Sequence, residues 1–288
     1  MPETVATALD RISECFASSP ISYGQGTENP ADEAAALVFG TLGVDWWERE
    51  LHLGDLLSEA QTAELESRVR RRIDEHIPVA YLTGEAWFLG QRYLIEPGVV
   101  IPRSPIGELV DAEFKPWLKH PPKRILDLCS GSGCIGIACA LAFPDSCVDL
   151  VDIDAEAVAL SRRNAALHQV SNRVGIFQSD LYADLPPAQY DLIVCNPPYV
   201  NSDDYQAAPA EFSHEPRLGL HSGDDGLDLL RRILAETPDW LSAEGLFVGE
   251  AGYSFTALLE HFPRLEIIWP DLIRGGHGVF LLDAPWRL

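Results

Sequence analysis

Positive charge is scarce in this sequence: its 288 residues carry 21 Lys and Arg against 44 Asp and Glu, a formal net charge of -23. A nucleic-acid binder concentrates Lys and Arg to neutralise phosphates, and the best basic run here is only Arg68, Arg70, Arg71 and Arg72. Stable nucleic-acid binding is therefore not expected. A basic protein partner suits such a surface better, although acidity also serves solubility. Long apolar runs are missing as well, none approaching the roughly 18 residues needed to span a bilayer. The first residues show no basic segment followed by an apolar one, so neither membrane nor secretory targeting is expected. Six cysteines are scattered without the paired C-x2-C knuckles of a zinc site. We expect no metal, reduced thiols and a cytoplasmic location. What remains, 47% hydrophobic and 23% charged residues, is an ordinary globular composition. The length accommodates an α/β domain of roughly 200 residues plus a smaller unit.

Residues 1 to about 80 read as helical, with Ala and Leu at helical spacing and no alternating β-branched runs. Ser58 followed by Gln61 forms a capping-box pattern opening a helix through Arg72, which Pro78 closes off. The Ser18 to Pro30 stretch reads as a loop. Between Glu85 and Ile101 the character changes to short aromatic and β-branched runs around a Gly-containing turn, the pattern of a hairpin. Beyond Gly107 seven short apolar runs alternate with helical stretches: Arg124 to Leu128, Cys147 to Val151, Val174 to Phe177, Tyr190 to Cys195, Gly245 to Gly249, Leu265 to Ile268 and Gly278 to Leu282. This alternation predicts a doubly wound, largely parallel seven-stranded α/β sheet with its ligand at the carboxyl ends of the strands. The expected division is a helical domain over 1-80, a β-hairpin linker over 81-106 and a catalytic domain over 107-288.

Four strand ends carry chemistry. Asp127-Leu128-Cys129-Ser130-Gly131-Ser132-Gly133 links the first strand to a helix starting near Cys134. Glycines at such a turn let the backbone approach a ligand and aim helix N-H groups at its anionic end. The pyrophosphate-binding form needs a glycine where this chain has Cys129. About 20 residues on, the second strand ends in Asp152, placed to accept both hydroxyls of a ribose. Asp180 ends the third, where its carboxylate or backbone faces an adenine amino group. After the fourth comes Asn196-Pro197-Pro198-Tyr199, the most specific feature in the chain. Its prolines fix the backbone and hold carbonyls outward as acceptors. With the Asn196 side-chain carbonyl they can receive both hydrogens of an NH2 group, and Tyr199 offers a ring for a planar group to stack on.

That array suits methylation of an amide or aromatic amine, whose nitrogen is a poor nucleophile because its lone pair is delocalised. S-adenosylmethionine brings an already electrophilic methyl, so the protein need supply only orientation and electrostatics, with no metal and no dedicated base.

At these residues the chain resembles the class I, Rossmann-like methyltransferases, and within them the HemK-like glutamine N(5)-methyltransferases. The resemblance also takes in Pro78-Val79-Ala80-Tyr81-Leu82, Glu85-Ala86-Trp87-Phe88-Leu89-Gly90, Ile101-Pro102-Arg103-Ser104-Pro105, Glu215-Pro216 and Gly223-Asp224-Asp225-Gly226-Leu227. It covers most of the chain from Ile73 onward. Pro-Arg-Ser-Pro and Asp-Leu-Cys, where release-factor enzymes tend to have Pro-Arg-Pro and Gly, look like the branch that methylates large-subunit ribosomal protein three. The resemblance implies a basic ribosomal protein as substrate, with a release factor as the rival, and an N-terminal helical domain that recognises it. It implies Asn196, Pro197 and Tyr199 as catalytic, and Asp127, Cys129, Gly131, Gly133, Asp152, Asp180 and Asn196 as cofactor-binding. Phe88, Arg103 and Pro198 are expected to position the substrate.

Two other classes stay open on the residues alone. One is a nucleic-acid methyltransferase acting on a flipped base, since the same turn serves an exocyclic amine. The other is a silent binding module, which would not demand the acids, glycines and Asn196 together. His214 reads as a hydrogen-bonded surface residue, not a base. Cys129, Cys134 and Cys139 read as small packing residues, and Trp46-Trp47 as apolar packing or a partner-binding patch.

Overall fold

The computed structural model describes residues 3-286. Three helices built on apolar faces open the chain: α1 (Val5–Ala17), α2 (Pro30–Leu42) and α3 (Glu59–Asp74). Val5, Ala8, Ile12 and Phe16 of α1 fall on one face and are all buried, the spacing a 3.6-residue period requires. Asn29 caps α2 and Pro30 occupies its first turn, where the missing N-H of proline costs nothing. The reciprocal Ser58–Gln61 capping box opens α3 as the sequence predicts. A short α4 (Val79–Thr83) ends at Gly84 in the left-handed conformation.

Strands β1 (Glu85–Phe88) and β2 (Gln91–Leu94) pair antiparallel as the expected hairpin. Leu89 and Gly90 both have positive φ, the signature of a type I′ turn. Asn164, fully buried, straps the hairpin down. Its side chain accepts from the Leu94 amide at 2.8 Å and donates to the carbonyls of Leu94 and of Ser132 in the Gly-rich turn.

After α5 (Ile106–Asp111) the elements run β3 (Arg124–Leu128), α6 (Cys134–Ala142), β4 (Cys147–Asp152), α7 (Ala155–Leu167), β5 (Val174–Gln178), β6 (Tyr190–Cys195), α8 (Ser202–Ala207), α9 (Asp228–Glu236), β7 (Leu241–Glu250), α10 (Phe255–His261) and β8 (Val279–Asp283). One sheet takes the order β5-β4-β3-β6-β7-β8, parallel except for the antiparallel β7–β8 edge. The expected seventh strand is a correction: the run Leu265 to Ile268 forms only an isolated bridge, Ile268 to Leu281, closed by bonds of 3.0 and 2.9 Å. It runs alongside β8 too briefly to count as a strand. Successive residues of the central strands alternate between two cores, Ile125, Leu192 and Val194 on one face and Leu126, Leu128 and Ile193 on the other. Strands buried on both faces explain why the runs read as continuously apolar. Strand order reverses at β3–β6, and the crevice at the carboxyl ends of such a pair is where open α/β sheets bind ligands. No helix among the described residues is long and apolar enough to cross a membrane.

Candidate active site

A cleft of about 1360 Å³ opens at that switch point. Along one side it is lined by the turn after β3 and the ends of β4 and β5, including Cys129, Gly131, Asp152, Ile153 and Asp180. Along the other run Asn196, Pro197, Pro198 and Tyr199, faced by Arg103, Phe212 and Glu250.

On the first side local backbone geometry does most of the building. Cys129, Gly131 and Gly133 all adopt positive φ, so the chain folds sharply back from β3 into α6. A Cβ on Gly131 would meet nothing closer than 3.8 Å, whereas one on Gly133 would press on Leu150 and Ser161. Gly131 therefore presents open backbone to the cleft, and Gly133, which does not line it, serves the close approach of α6 to β4. Asp152 accepts from the Gly131 amide at 2.8 Å and from the Asp154 amide at 2.9 Å. Burial pushes its carboxyl above the ordinary range, against the pull of these amides. Each oxygen retains a further lone pair.

Asp127 is placed otherwise than expected. Asp127 points into the core and does not line the cleft. Its Oδ2 accepts from the Gly136 amide at 2.8 Å, so a strand side chain satisfies one of the orphan N-H groups at the start of α6. Its Oδ1 is buried without a partner, and burial pushes the carboxyl up to about 8. Asp180 does line the cleft, yet its carboxylate is held by Arg232, with both oxygens 3.0 Å from Nη2.

The second side is built from distant parts of the chain. Neither the Asn196 side chain nor the Pro197 carbonyl has a hydrogen-bond partner among the described residues. Tyr199, by contrast, is pinned at several points. Its hydroxyl donates to Glu250 at 2.7 Å and its carbonyl accepts from Ser254 at 2.8 Å. The ring lies so close over Gly252 that a Cβ there would come within 2.3 Å of it. Burial, then the neighbouring Glu250, pushes the Tyr199 hydroxyl well above its ordinary value, so it stays a donor. Glu250 takes Ser104 on its other oxygen at 2.6 Å, and burial raises its carboxyl. Arg103 reaches Glu215 at 2.8 Å and the Ile101 carbonyl at 3.1 Å, and its guanidinium lies 5.5 Å from the Phe212 ring centre. Burial pulls its pKa down, but the Glu215 carboxylate more than reverses this.

Phe88 is not brought to the cleft. It is 6% exposed and packs against Gly107 and Tyr93, which seats the hairpin on α5. His214 bonds to the Glu75 carbonyl at 2.8 Å, away from the cleft. The Trp pair splits: Trp46 packs against Phe39 and Trp87, while Trp47 is 70% exposed. The arginine run disperses round α3, with Arg72 turned fully inward. Glu250 and Arg232 escaped the sequence reading, and Ser104 entered it only as part of the Ile101 to Pro105 motif, without a role of its own. Glu250 ends the strand β7, so the strand-end rule that singled out Asp152 and Asp180 applies to it equally.

Known proteins resemble this chain. The Methyltransferase small domain family matches residues 114-223, and the PrmC N-terminal domain family matches residues 8-84. The ribosomal protein uL3 glutamine methyltransferase of Bordetella pertussis is 41% identical over 264 residues, 91% of this chain and 89% of that protein. The protein of the same name from Burkholderia pseudomallei is 39% identical over 98% of this chain and 95% of its own length. The chain belongs to this family of uL3 glutamine methyltransferases. Membership carries the resemblance read from the Asn-Pro-Pro-Tyr turn and the hairpin across nearly the whole length. Among solved structures, the catalytic domain of hMettl16 in complex with a MAT2A 3'UTR hairpin superimposes with a TM-score of 0.52 at 13% identity. It covers 79% of this chain and 83% of that one, a likeness of fold alone.

Proposed function

We propose that this chain transfers a methyl group from S-adenosylmethionine to the side-chain amide nitrogen of a glutamine in large-subunit ribosomal protein uL3. The observation that carries the reading is the Asn196 to Tyr199 turn, whose acceptors face the cleft unpartnered while its tyrosine is fixed in place. The methyl donor fits the opposite side: a strand-end carboxylate with free lone pairs, at Asp152, stands beside a turn opened by Gly131. Asp152 would hold the ribose hydroxyls, with Cys129, Gly131 and the segment around Asp180 forming the walls. When bound, the donor supplies an electrophilic methyl on a sulfonium.

Every other requirement falls on the protein. Asn196 and Pro197 accept the two amide hydrogens and Tyr199 stacks on the flat group, so the nitrogen is held still. Acceptors placed for the positive charge that develops on nitrogen favour the transition state over the flat ground state, and one of the two amide hydrogens then leaves as a proton to solvent. Arg103 and Pro198 shape the acceptor end. Residues 1-80 recognise the protein partner, because a pocket for one side-chain amide has too little area to discriminate. Residues 81-106 form the linker and 107-288 carry the chemistry. Acidic surface favours encounter with a basic ribosomal protein in the cytoplasm.

Incubation of the purified chain with labelled S-adenosylmethionine and, separately, uL3, release factors and RNA tests the reading. Label should appear on a glutamine of uL3. Faster labelling of release factors would replace the substrate and keep the chemistry, whereas label only on RNA would overturn both.

A further inference from the structure

We propose that the buried cluster Glu33, Arg72 and Glu211 is a latch through which the helical region sets the shape of the acceptor end of the cleft, making Arg72 and Glu211 positioning residues for the methyl acceptor. The catalytic part of the inference rests on the function proposed above; the structural part stands on contacts alone. Arg72 lies in the last turn of α3, where arginines usually face water, yet its side chain is 1% exposed. Its Nε donates to Glu33 of α2 at 2.6 Å, Nη1 to Glu211 at 3.0 Å and Nη2 to the Ser22 carbonyl at 2.6 Å. Glu211 Oε1 also accepts from the Ser22 amide at 2.8 Å and lies 3.2 Å from His76 Nδ1. One carboxylate of the catalytic region is thus gripped by two segments of the helical region, the loop at Ser22 and the end of α3 from Arg72 to His76.

The grip continues into the cleft within four residues. Glu211 sits on the loop between the Asn196 turn and α9. The next residue, Phe212, lies beneath the Arg103 guanidinium, and Glu215 holds Arg103 at 2.8 Å. Arg103 and Phe212 both line the cleft, while among the described residues its lining begins only at Gly98. No described residue of the helical region lines the cleft, so that region acts on the wall through the segments it holds, chief among them the loop of Glu211, which His214 also ties to the Glu75 carbonyl at 2.8 Å. An apolar contact would hold two bodies together at least as firmly as a buried ion cluster. A planar guanidinium bonded on three sides fixes their orientation as well.

Glu211→Gln, which keeps the shape and removes the charge, and Glu211→Ala, which removes the link, test the latch against the parent full-length chain. Three readouts are needed: amide hydrogen exchange, calorimetric binding of S-adenosylmethionine, and methylation of both intact uL3 and a short glutamine peptide too small to reach residues 1-80. Exchange over residues 209-221 should rise about tenfold or more, while β3, β4 and β6 keep their protection. Donor affinity should stay within about twofold, and kcat for the short peptide should fall about tenfold or more with the KM for donor unchanged. Normal peptide methylation with loss only on intact uL3 would mean that the cluster merely fastens the helical region, and would overturn the proposal. Unchanged exchange over 209-221 overturns it whatever the substrate. If the parent methylates no glutamine, the proposed function fails and the exchange result alone decides the latch. Should Glu211→Ala not fold, Glu211→Gln carries the test.

Discussion

The two sides of the cleft are made in different ways. On the cofactor side the contacts that shape the turn join neighbours in a strand-turn-helix unit or in the next one, Asp152 to Gly131 and Asp154 and Asp127 to Gly136, with Asp180 to Arg232 the long-range exception. On the acceptor side the contacts join Arg103 to Glu215, Ser104 to Glu250 and Tyr199 to Glu250, across 112, 146 and 51 residues. The first side is a repeating backbone device that many ligand-binding sheets share. The second is particular to this chain's tertiary arrangement, and it depends on buried charge. Damage to the first should therefore appear as lost donor affinity in an intact fold, and damage to the second as lost stability or turnover.

The largest expected effect lies on the acceptor side. Arg103→Ala leaves the fully buried Glu215 with only the Ile101 amide for company, and should cost about 3 kcal/mol or more in denaturant unfolding. A loss below about 1 kcal/mol would mean that the two sides do not differ in this way. Next comes Asp152→Ala, which on the proposed role would remove two charge-assisted bonds to the ribose and should weaken donor binding by about 2 to 4 kcal/mol, roughly 30- to 1000-fold. Calorimetry giving the parent affinity would remove Asp152 from the site. Asn196→Ala should lose about 100-fold in turnover with donor affinity little changed, and near-normal turnover would refute its role at the amide.

The last effect is spread over a range of pH and concerns Asp127. Its carboxyl, raised to about 8 in the folded chain from about 3.9 in the unfolded one, makes the folded state bind the extra proton between those values. Stability from this group is therefore present below about pH 4 and lost as pH rises to about 8, by up to roughly 1.4 kcal/mol per pH unit. Asp127→Asn should flatten that part of the stability profile and leave donor affinity close to the parent's. Equal slopes in thermal melts from pH 5 to 8 would show that Asp127 is charged in the fold. A large loss of donor affinity would return it to the ligand site.

Much of this could be read in advance. The capping box at Ser58, the hairpin about Leu89 and Gly90, six of the strands and the ligand end of the sheet all follow from local patterns of two to seven residues. Asp152 and Asn196 stand where a strand-end rule places them, in the lining of one cleft. The run Leu265 to Ile268 had the composition of a strand but pairs with β8 at a single position, because pairing needs a neighbour in register, which composition does not supply. Phe88 and Asp127 belong to motifs that looked functional, and both turn inward. A motif's position in the chain does not say which way its side chain faces once a hairpin lies on a helix or an acid caps one from a strand.

By itself, then, the order of short apolar runs, glycines and strand-end acids determined the class of sheet, its ligand edge and the Asn-Pro-Pro-Tyr turn, because each is set by backbone geometry within a few residues. Only the tertiary structure decided which carboxylates are buried and what holds them: Glu250 under Tyr199, Glu215 on Arg103, and Glu211 in the grip of Arg72. A buried charge is tolerable only where a partner meets it, and those partners come from segments brought together by packing alone.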